Sequence, residues 1–228
     1  MKIIAEISGN HGGYLEKACE LIEVAAQCGC DYAKFQYYAP REMYDLENAP
    51  TYARLAVPRE WLHTLFDTAS KCSIGLFASV FSSDGVSDLL EYSPPYFKLA
   101  SPQSTWLPTV VYKEIVETVP AATPIIFSAD ERDVSRMLQA IVYRANVDVS
   151  LYCPPGHPPS ITDHDFEEFR DFGYDGLSDH TPDLQVPLAF AQAGADMIEK
   201  HLKLDDNCID AAFSASPDTM ARLCEILK

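Results

Sequence analysis

Two lysines in short apolar runs stand out in this 228-residue chain. Lys34 lies in Ala33-Lys34-Phe35-Gln36 and Lys98 in Phe97-Lys98-Leu99-Ala100, runs with the length and composition of buried strands. Alternation places Lys34 and Gln36 on one face and sets Lys98 opposite Phe97 and Leu99. A lysine inside a packed strand is costly unless an anion meets it. With Ser101, Ser128 and Ser178 at the ends of neighbouring runs, the pair suits a phosphate or a phosphorylated carboxylate. Each lysine could instead reach out between helices or pair with a core glutamate, but two of them together favour the anion. His180 and His201 form a second constellation at the ends of consecutive runs, close enough in expectation to share one metal ion; imidazole suits Mn, Fe or Zn. Two histidines leave the shell open to water, a carboxylate or substrate, which favours catalysis over structure. His63, His157 and His164 have no such context, and His11 adjoins Gly12-Gly13 in an expected tight turn.

Short apolar runs alternate with amphipathic segments along the whole chain. Strands are expected at Ile3–Ser8, Tyr32–Gln36, Gly75–Ser79, Tyr96–Ala100, Pro124–Ser128, Asp148–Tyr152, Gly176–Ser178 and Asp196–Lys200. Helices are expected at Leu15–Gln27, Pro58–Lys71, Ser83–Glu91, Leu107–Thr118, Glu131–Arg144, Asp163–Asp171, Leu184–Ala193 and Pro217–Leu227. Ser83 and Ser216 read as N-caps, Asp130-Glu131 as acid at a helix start, and Gly29, Gly173 and Gly194 as left-handed C-caps. Eight β and eight α elements in alternation predict an α/β fold, a (β/α)8 TIM barrel, as one domain over residues 1–228. Catalytic groups of such a barrel gather at the C-terminal ends of its strands. That selects Glu6, Ser8, Asn10 and His11 after the first strand, Lys34, Gln36, Lys98, Ser101 and Ser128 on the next ones, Ser178, Asp179 and His180 on the seventh, and Glu199, Lys200 and His201 on the eighth. The stretch Tyr37 to Val57 reads as an extended loop forming a lid or wall over the site.

Charge and composition narrow the function classes. Seventeen basic against 34 acidic residues give a formal charge of −17, which argues against nucleic acid and anionic membranes as partners. Seven scattered cysteines suit reduced thiols, and Cys28-Gly29-Cys30 has the wrong spacing for a zinc or thioredoxin-like pair. Neither a leader nor an apolar run near 18 residues is present in the sequence, so a cytoplasmic location is expected.

Seven motifs run colinearly through the chain: Ile4-Ala5-Glu6-Ile7 with Asn10-His11-Gly12-Gly13, Ala33-Lys34-Phe35-Gln36, Tyr96 to Ser101, Ser178-Asp179-His180-Thr181, Ile198-Glu199-Lys200-His201 and Asp210 to Ser214. Together they resemble the successive signatures of the N-acetylneuraminate (sialic acid) synthase family. The resemblance implies a barrel that condenses phosphoenolpyruvate with the aldehyde of an N-acetylated sugar such as N-acetylmannosamine, releasing phosphate and a nine-carbon ulosonic acid. It implies a divalent ion, commonly Mn²⁺ with Mg²⁺ or Co²⁺ as alternatives, on His180 and His201. It further implies that Lys34, Lys98, Ser101, Ser128 and Ser178 hold phosphate and carboxylate, and that Glu6 and Asp210 face the sugar and handle protons.

Departures from the family pattern are expected to change sugar specificity. Pro102-Gln103 replaces the usual Gly-Glu, Ser128-Ala129-Asp130-Glu131 replaces Ser-Thr-Gly-Met, and the family's Asn and Tyr fall on Pro155 and His157. Full-length synthases also carry an N-terminal hairpin and a C-terminal antifreeze-like domain. Both are expected to be absent, leaving a homodimer of barrels, or a separate antifreeze-like chain, as the expected partner. A related phosphoenolpyruvate or aldol enzyme with another aldehyde, and a catalytically weak barrel kept as a binding subunit, are the alternative readings.

Overall fold

The computed structural model describes residues 1–42, 49–101, 107–130 and 147–228. Eight parallel strands close into a barrel in sequence order: β1 (Lys2–Glu6), β2 (Tyr32–Tyr37), β3 (Gly75–Val80), β4 (Phe97–Leu99), β5 (Ile125–Ala129), β6 (Val147–Tyr152), β7 (Gly176–Asp179) and β8 (Met197–His201). Among the described residues the helices are α1 (Leu15–Gln27), α2 (Ala49–Leu55), α3 (Leu62–Lys71), α4 (Ser83–Leu89), α5 (Thr109–Thr118), α6 (Asp163–Phe172), α7 (Gln185–Gln192) and α8 (Pro217–Leu227). The expected (β/α)8 barrel is therefore the fold. The expected helix Glu131–Arg144 lies outside the described residues, as does Gln103.

Boundaries shift where local chemistry decides them. The helix expected from Pro58 begins at Leu62, after a 3₁₀ turn Arg59–Trp61, and the one expected to reach Glu91 ends at Leu89, before a second such turn. Ser82, not Ser83, caps α4, with its hydroxyl accepting from the Gly85 N–H at 3.2 Å. Ser216 caps α8 as expected, with Pro217 in the first turn. Gly29, Gly173 and Gly194 have φ of 87°, 66° and 109°, the left-handed C-cap conformation. The stretch after β2 is not a bare loop, because it holds α2, whose Tyr52 and Leu55 help form the cavity wall. Residues 43–48 of it lie outside the described residues.

Alternation divides the sheet into two faces. Outward residues such as Ile3, Ala33, Phe35, Leu99 and Ile198 pack beneath the helices in the main core. Inward residues near the strand starts, Ile4, Phe77, Ile126, Leu151 and Met197, fill the barrel floor with a separate apolar plug, flanked by Tyr32 and Tyr96. The residues one step further along the same strands are polar. No helix among the described residues is long and apolar enough to cross a membrane.

The β7/β8 seam is tight at Gly176, which pairs with Met197. A Cβ there would overlap the Met197 carbonyl and stand 2.8 Å from Leu151 Cδ2. Gly176→Ala should therefore cost about 2–3 kcal/mol, seen as a fall of about 5–10 °C in a thermal melt.

Candidate active site

Above the apolar plug the inward positions become a charged layer. Lys34 on β2 forms an ion pair with Glu6 on β1, donates to Ser79 Oγ at 2.9 Å, and has Glu199 on β8 at 3.6 Å. Lys98 on β4 donates to both Glu199 oxygens, at 3.0 and 2.9 Å, and Ser178 donates to the same carboxylate at 2.8 Å. Two ammonium groups are thus set against two carboxylates, and all four residues are under 5% exposed. The core-glutamate pairing is therefore what the structure adopts for both lysines, and the expected positive pocket is neutral overall. Removing one member of such a cluster leaves an uncompensated buried charge, so each depends on the others.

The electrostatics are uneven. Burial pushes the Lys34 ammonium down to about 7, against the pull of Glu199 and aided by the like charge of Lys98. Burial opposes ionisation of Glu199 too, but the two lysines and the Ser178 hydroxyl hold its carboxyl well below the usual range. Glu199 is ionised, and Lys34 is poised to gain a proton whenever an added anion replaces lost hydration. At the end of β1, Ser8 adopts a left-handed φ of 41°, and its N–H donates to Glu6 Oε1 at 2.6 Å. That strained turn, a conformation costing on the order of 1–3 kcal/mol, aims Glu6 at Lys34.

One layer higher stand the two histidines. The rings of His180 and His201 lie 4.9 Å apart, tilted by 51°, and Phe213 packs against both, at 5.5 and 4.9 Å. His201 Nδ1 is 3.1 Å from Asp210 Oδ2, an arrangement that fixes the ring and leaves its Nε2 uncommitted. Burial raises the Asp210 carboxyl, yet the bond and charge of His201 and a bond from the Ser8 hydroxyl bring it below its ordinary value. Burial holds His180 neutral, with its pKa well below the usual imidazole value, and its buried Nδ1 has no hydrogen-bond partner. Behind the sheet Lys200 Nζ donates to Asp179 Oδ2 at 2.5 Å and to the Thr181 carbonyl at 2.7 Å, which holds the side chain before His180 and the backbone after it.

A cavity of about 470 Å³ at the C-terminal mouth joins both layers. Its wall includes Glu6, Lys34, Gln36, Lys98 and Ser101, together with Ser128, Ser178, His180, His201 and Asp210. Asn10, His11, Asp179 and Lys200 are the exceptions among the expected residues. The Asn10 amide nitrogen donates to the Leu202 carbonyl (2.8 Å) and to Ser214 Oγ (3.0 Å), and its oxygen accepts from the Asp210 N–H (3.1 Å). The carboxamide is committed to positioning the Asp210 loop and is not free for substrate. Ser128 Oγ, by contrast, is buried and without a partner. Asp130 is buried; Glu131 lies outside the described residues.

Glu199 was selected at the end of the eighth strand without a partner or role, and the structure places it on the cavity wall between the two lysines. Cys153, Ser79 and Tyr38 also line the cavity. His157, which lacked context in sequence, stands exposed at the mouth with its ring 4.3 Å from that of His180, edge to face. His11 is structural: Nδ1 accepts from the Gly13 N–H at 3.1 Å and the ring packs on Trp61. His63 and His164 are on the surface. Among the described residues no three His, Cys, Asp or Glu side chains converge to hold a metal, so any ion here would rest on the two imidazoles and non-protein oxygens.

The model of the NeuB family matches residues 21–228. The chain belongs to the NeuB family. It is 30% identical over 255 residues to a pseudaminic acid synthase of Helicobacter pylori, covering all of this chain and 73% of that protein. It is 28% identical to the human N-acetylneuraminate-9-phosphate synthase, covering 97% of this chain and 67% of the relative. A sialic acid synthetase from Leptospira borgpetersenii, solved with citrate, superposes with a TM-score of 0.85 at 23% identity, over 98% of this chain and 81% of that one; it shows the same barrel fold. NeuB-family relatives are sugar-acid synthases by name, so the cavity belongs to a family of biosynthetic enzymes.

Two outcomes test the charged layer of this NeuB-family barrel. With free Lys34 titrating near 7, sulfate should bind about tenfold more tightly at pH 6 than at pH 8. Lys34→Gln should flatten that dependence in calorimetric titrations, and equal affinity of the parent chain at both pH values would remove Lys34 from the anion site. Glu199→Gln should lower the unfolding free energy by about 3–5 kcal/mol in urea, since both lysines lose a shared partner.

Proposed function

We propose that the chain condenses phosphoenolpyruvate with the open-chain aldehyde of an N-acetylated amino sugar, N-acetylmannosamine or a relative of it, to give a nonulosonic acid and inorganic phosphate. The observation that carries this reading is a single cavity that holds the paired lysines beside the histidine pair and Asp210. A substrate with phosphate and carboxylate at one end and an aldehyde acceptor at the other matches that division.

In the reaction the methylene carbon of phosphoenolpyruvate forms a bond to the aldehyde carbon, water adds at the neighbouring carbon, and that carbon's bond to the phosphate oxygen breaks. Lys34, Lys98 and Ser101 bind the anionic end. The partnerless Ser128 hydroxyl is ready to donate to it, whereas Ser178 must first exchange its bond to Glu199. An arriving anion competes with Glu6 and Glu199 for the two ammonium groups, which leaves the carboxylates free to accept protons at the reacting centre. Gln36 lies on the wall above Lys34, within the same cavity.

His180 and His201 would hold a divalent ion, Mn²⁺ foremost with Mg²⁺ or Co²⁺ as alternatives; the chemistry supplied there is Lewis-acid polarisation of the aldehyde. Their fit rests on the partnerless Nδ1 of the neutral His180 and the Asp210 bond that fixes His201. Asp210 also faces the acceptor end and suits transfer of a proton to or from a sugar hydroxyl. A second reading, the same condensation with a different aldehyde, is favoured by His157, which presents imidazole at the mouth beside His180.

Phosphate release from phosphoenolpyruvate, with Mn²⁺ present and a panel of aldehyde sugars, tests these readings. Release that depends on N-acetylmannosamine or another N-acetylated sugar supports the first; release only with an unacetylated or phosphorylated aldehyde supports the second. His201→Ala should reduce turnover by about 100-fold or more. Unchanged turnover would show that the histidine pair has no part in the chemistry, and no release with any aldehyde would favour a binding role.

A further inference from the structure

Beneath the helices, at the end of the barrel opposite the cavity, Cys28 and Cys30 of the α1–β2 turn meet Cys224 of α8, far from both in sequence. Cys28 caps α1, Gly29 turns the chain with a φ of 87°, and Cys30 leads into β2. Above that turn lies Cys224 of α8. Cys30 Sγ is 3.7 Å from Cys224 Sγ, and the sequence separation is 194 residues. Cys28 Sγ donates to the Pro217 carbonyl, at the first residue of α8, at 3.3 Å. Gly29 fits close beneath the helix, for a Cβ built on it would stand 3.7 Å from that of Cys224. Lys228 secures the last turn of α8 over the cluster, donating to the Gly29 carbonyl at 2.5 Å and pairing with Asp31 at 2.8 Å.

We propose that Cys30 and Cys224 are an oxidisable dithiol, a site for covalent modification by peroxide, whose disulfide ties the start of β2 to α8. The sulfurs need to close by less than 2 Å to reach a bonding distance of about 2.05 Å, a shift within reach of side-chain rotation. One thiolate attacks a peroxide oxygen; the O–O bond breaks, hydroxide leaves and takes up the proton the thiol had released to become water, and a sulfenic acid remains. The second thiol then displaces the sulfenic oxygen as a second water, so two thiols and one peroxide give one disulfide and two waters.

Cys224 is suited to the attacking role. The hydrogen bond from Cys30 lowers its thiol pKa despite burial, and the Lys228 ammonium adds to the effect. The bond to Cys224, and burial after it, push the Cys30 thiol up. Burial pushes the cavity thiol, Cys153, up to about 12, so it stays protonated and unreactive at neutral pH. The half-buried thiols Cys19, Cys72 and Cys208 can take up oxygen, but that chemistry adds mass, whereas disulfide formation removes two hydrogens. The proposal is independent of what the cavity binds.

The test uses the full chain, fully reduced and then exposed to a small excess of hydrogen peroxide. Intact mass should fall by about 2 Da, the titre of seven thiols should fall to five, and a peptide map should link Cys30 to Cys224. Dithiothreitol should reverse all three changes. Cys30→Ala and Cys224→Ala should each abolish the loss of mass, while Cys28→Ala should keep it. The oxidised chain should melt several degrees higher, since the bridge closes a long loop. A peptide map of the parent chain without the Cys30–Cys224 link, whether the other thiols gain oxygen or stay unchanged, overturns the proposal, and it does so even where a cysteine variant fails to fold.

Discussion

Glu199 lies between two buried lysines, and the rest of the site depends on that contact. A barrel this narrow cannot hold two ammonium groups in its second layer without anionic partners, because an unpaired buried charge costs more than the surrounding packing returns. Glu199 serves Lys34 and Lys98 together and takes a third bond from Ser178, while Glu6 completes the neutralisation from β1. The four charged residues come from β1, β2, β4 and β8. Glu6 and Lys34 meet across the β1/β2 pair, but Lys98 finds its partner only when β8 closes beside β1 and faces β4, so the charge cluster specifies the barrel as well as equipping it.

The cluster also separates tasks by depth. Below it the inward positions are apolar and fill the floor; above it they are imidazole, carboxamide and carboxylate around an open cavity. Four strands make the change within two residues, from Ile4 to Glu6, Phe77 to Ser79, Ile126 to Ser128 and Met197 to Glu199. Period-two alternation is what allows stability and chemistry to share one strand without competing for the same face.

Much of this was legible in sequence, because the barrel repeats one local rule. The count and order of the strands follow from short apolar runs alternating with amphipathic ones, and the inward face follows from alternation around Lys34 and Lys98. What sequence did not show are contacts between distant segments. Glu199 was visible as a charge at the end of a strand, but its role appears only when β8 closes beside β1 and faces β4. Asn10 had the type and position of a ligand; the structure assigns its carboxamide to Leu202, Ser214 and Asp210, partners about 200 residues away. His157 had no recognisable context, since the loop that seats it against His180 has no regular periodicity. The cap of α4 fell on Ser82 without moving the helix start, and helix ends moved by a few residues where a 3₁₀ turn took over the hydrogen bonds.

The seam between β1 and β8, where the first and last strands pair, has a consequence for how the cavity comes into being. Glu6 and His201 are register partners across it, and Asn10 ties the loop after β1 to the loop carrying Asp210. The chemistry is thus completed across the junction of the two chain ends: the first half of the barrel brings Glu6, Lys34 and Lys98, the second brings His180, Glu199, His201 and Asp210, and neither half alone holds both the lysines and the histidine pair. Assembly of the site coincides with ring closure, the slowest kind of contact for a chain to find, so a molecule with the pocket formed is one whose fold is already complete.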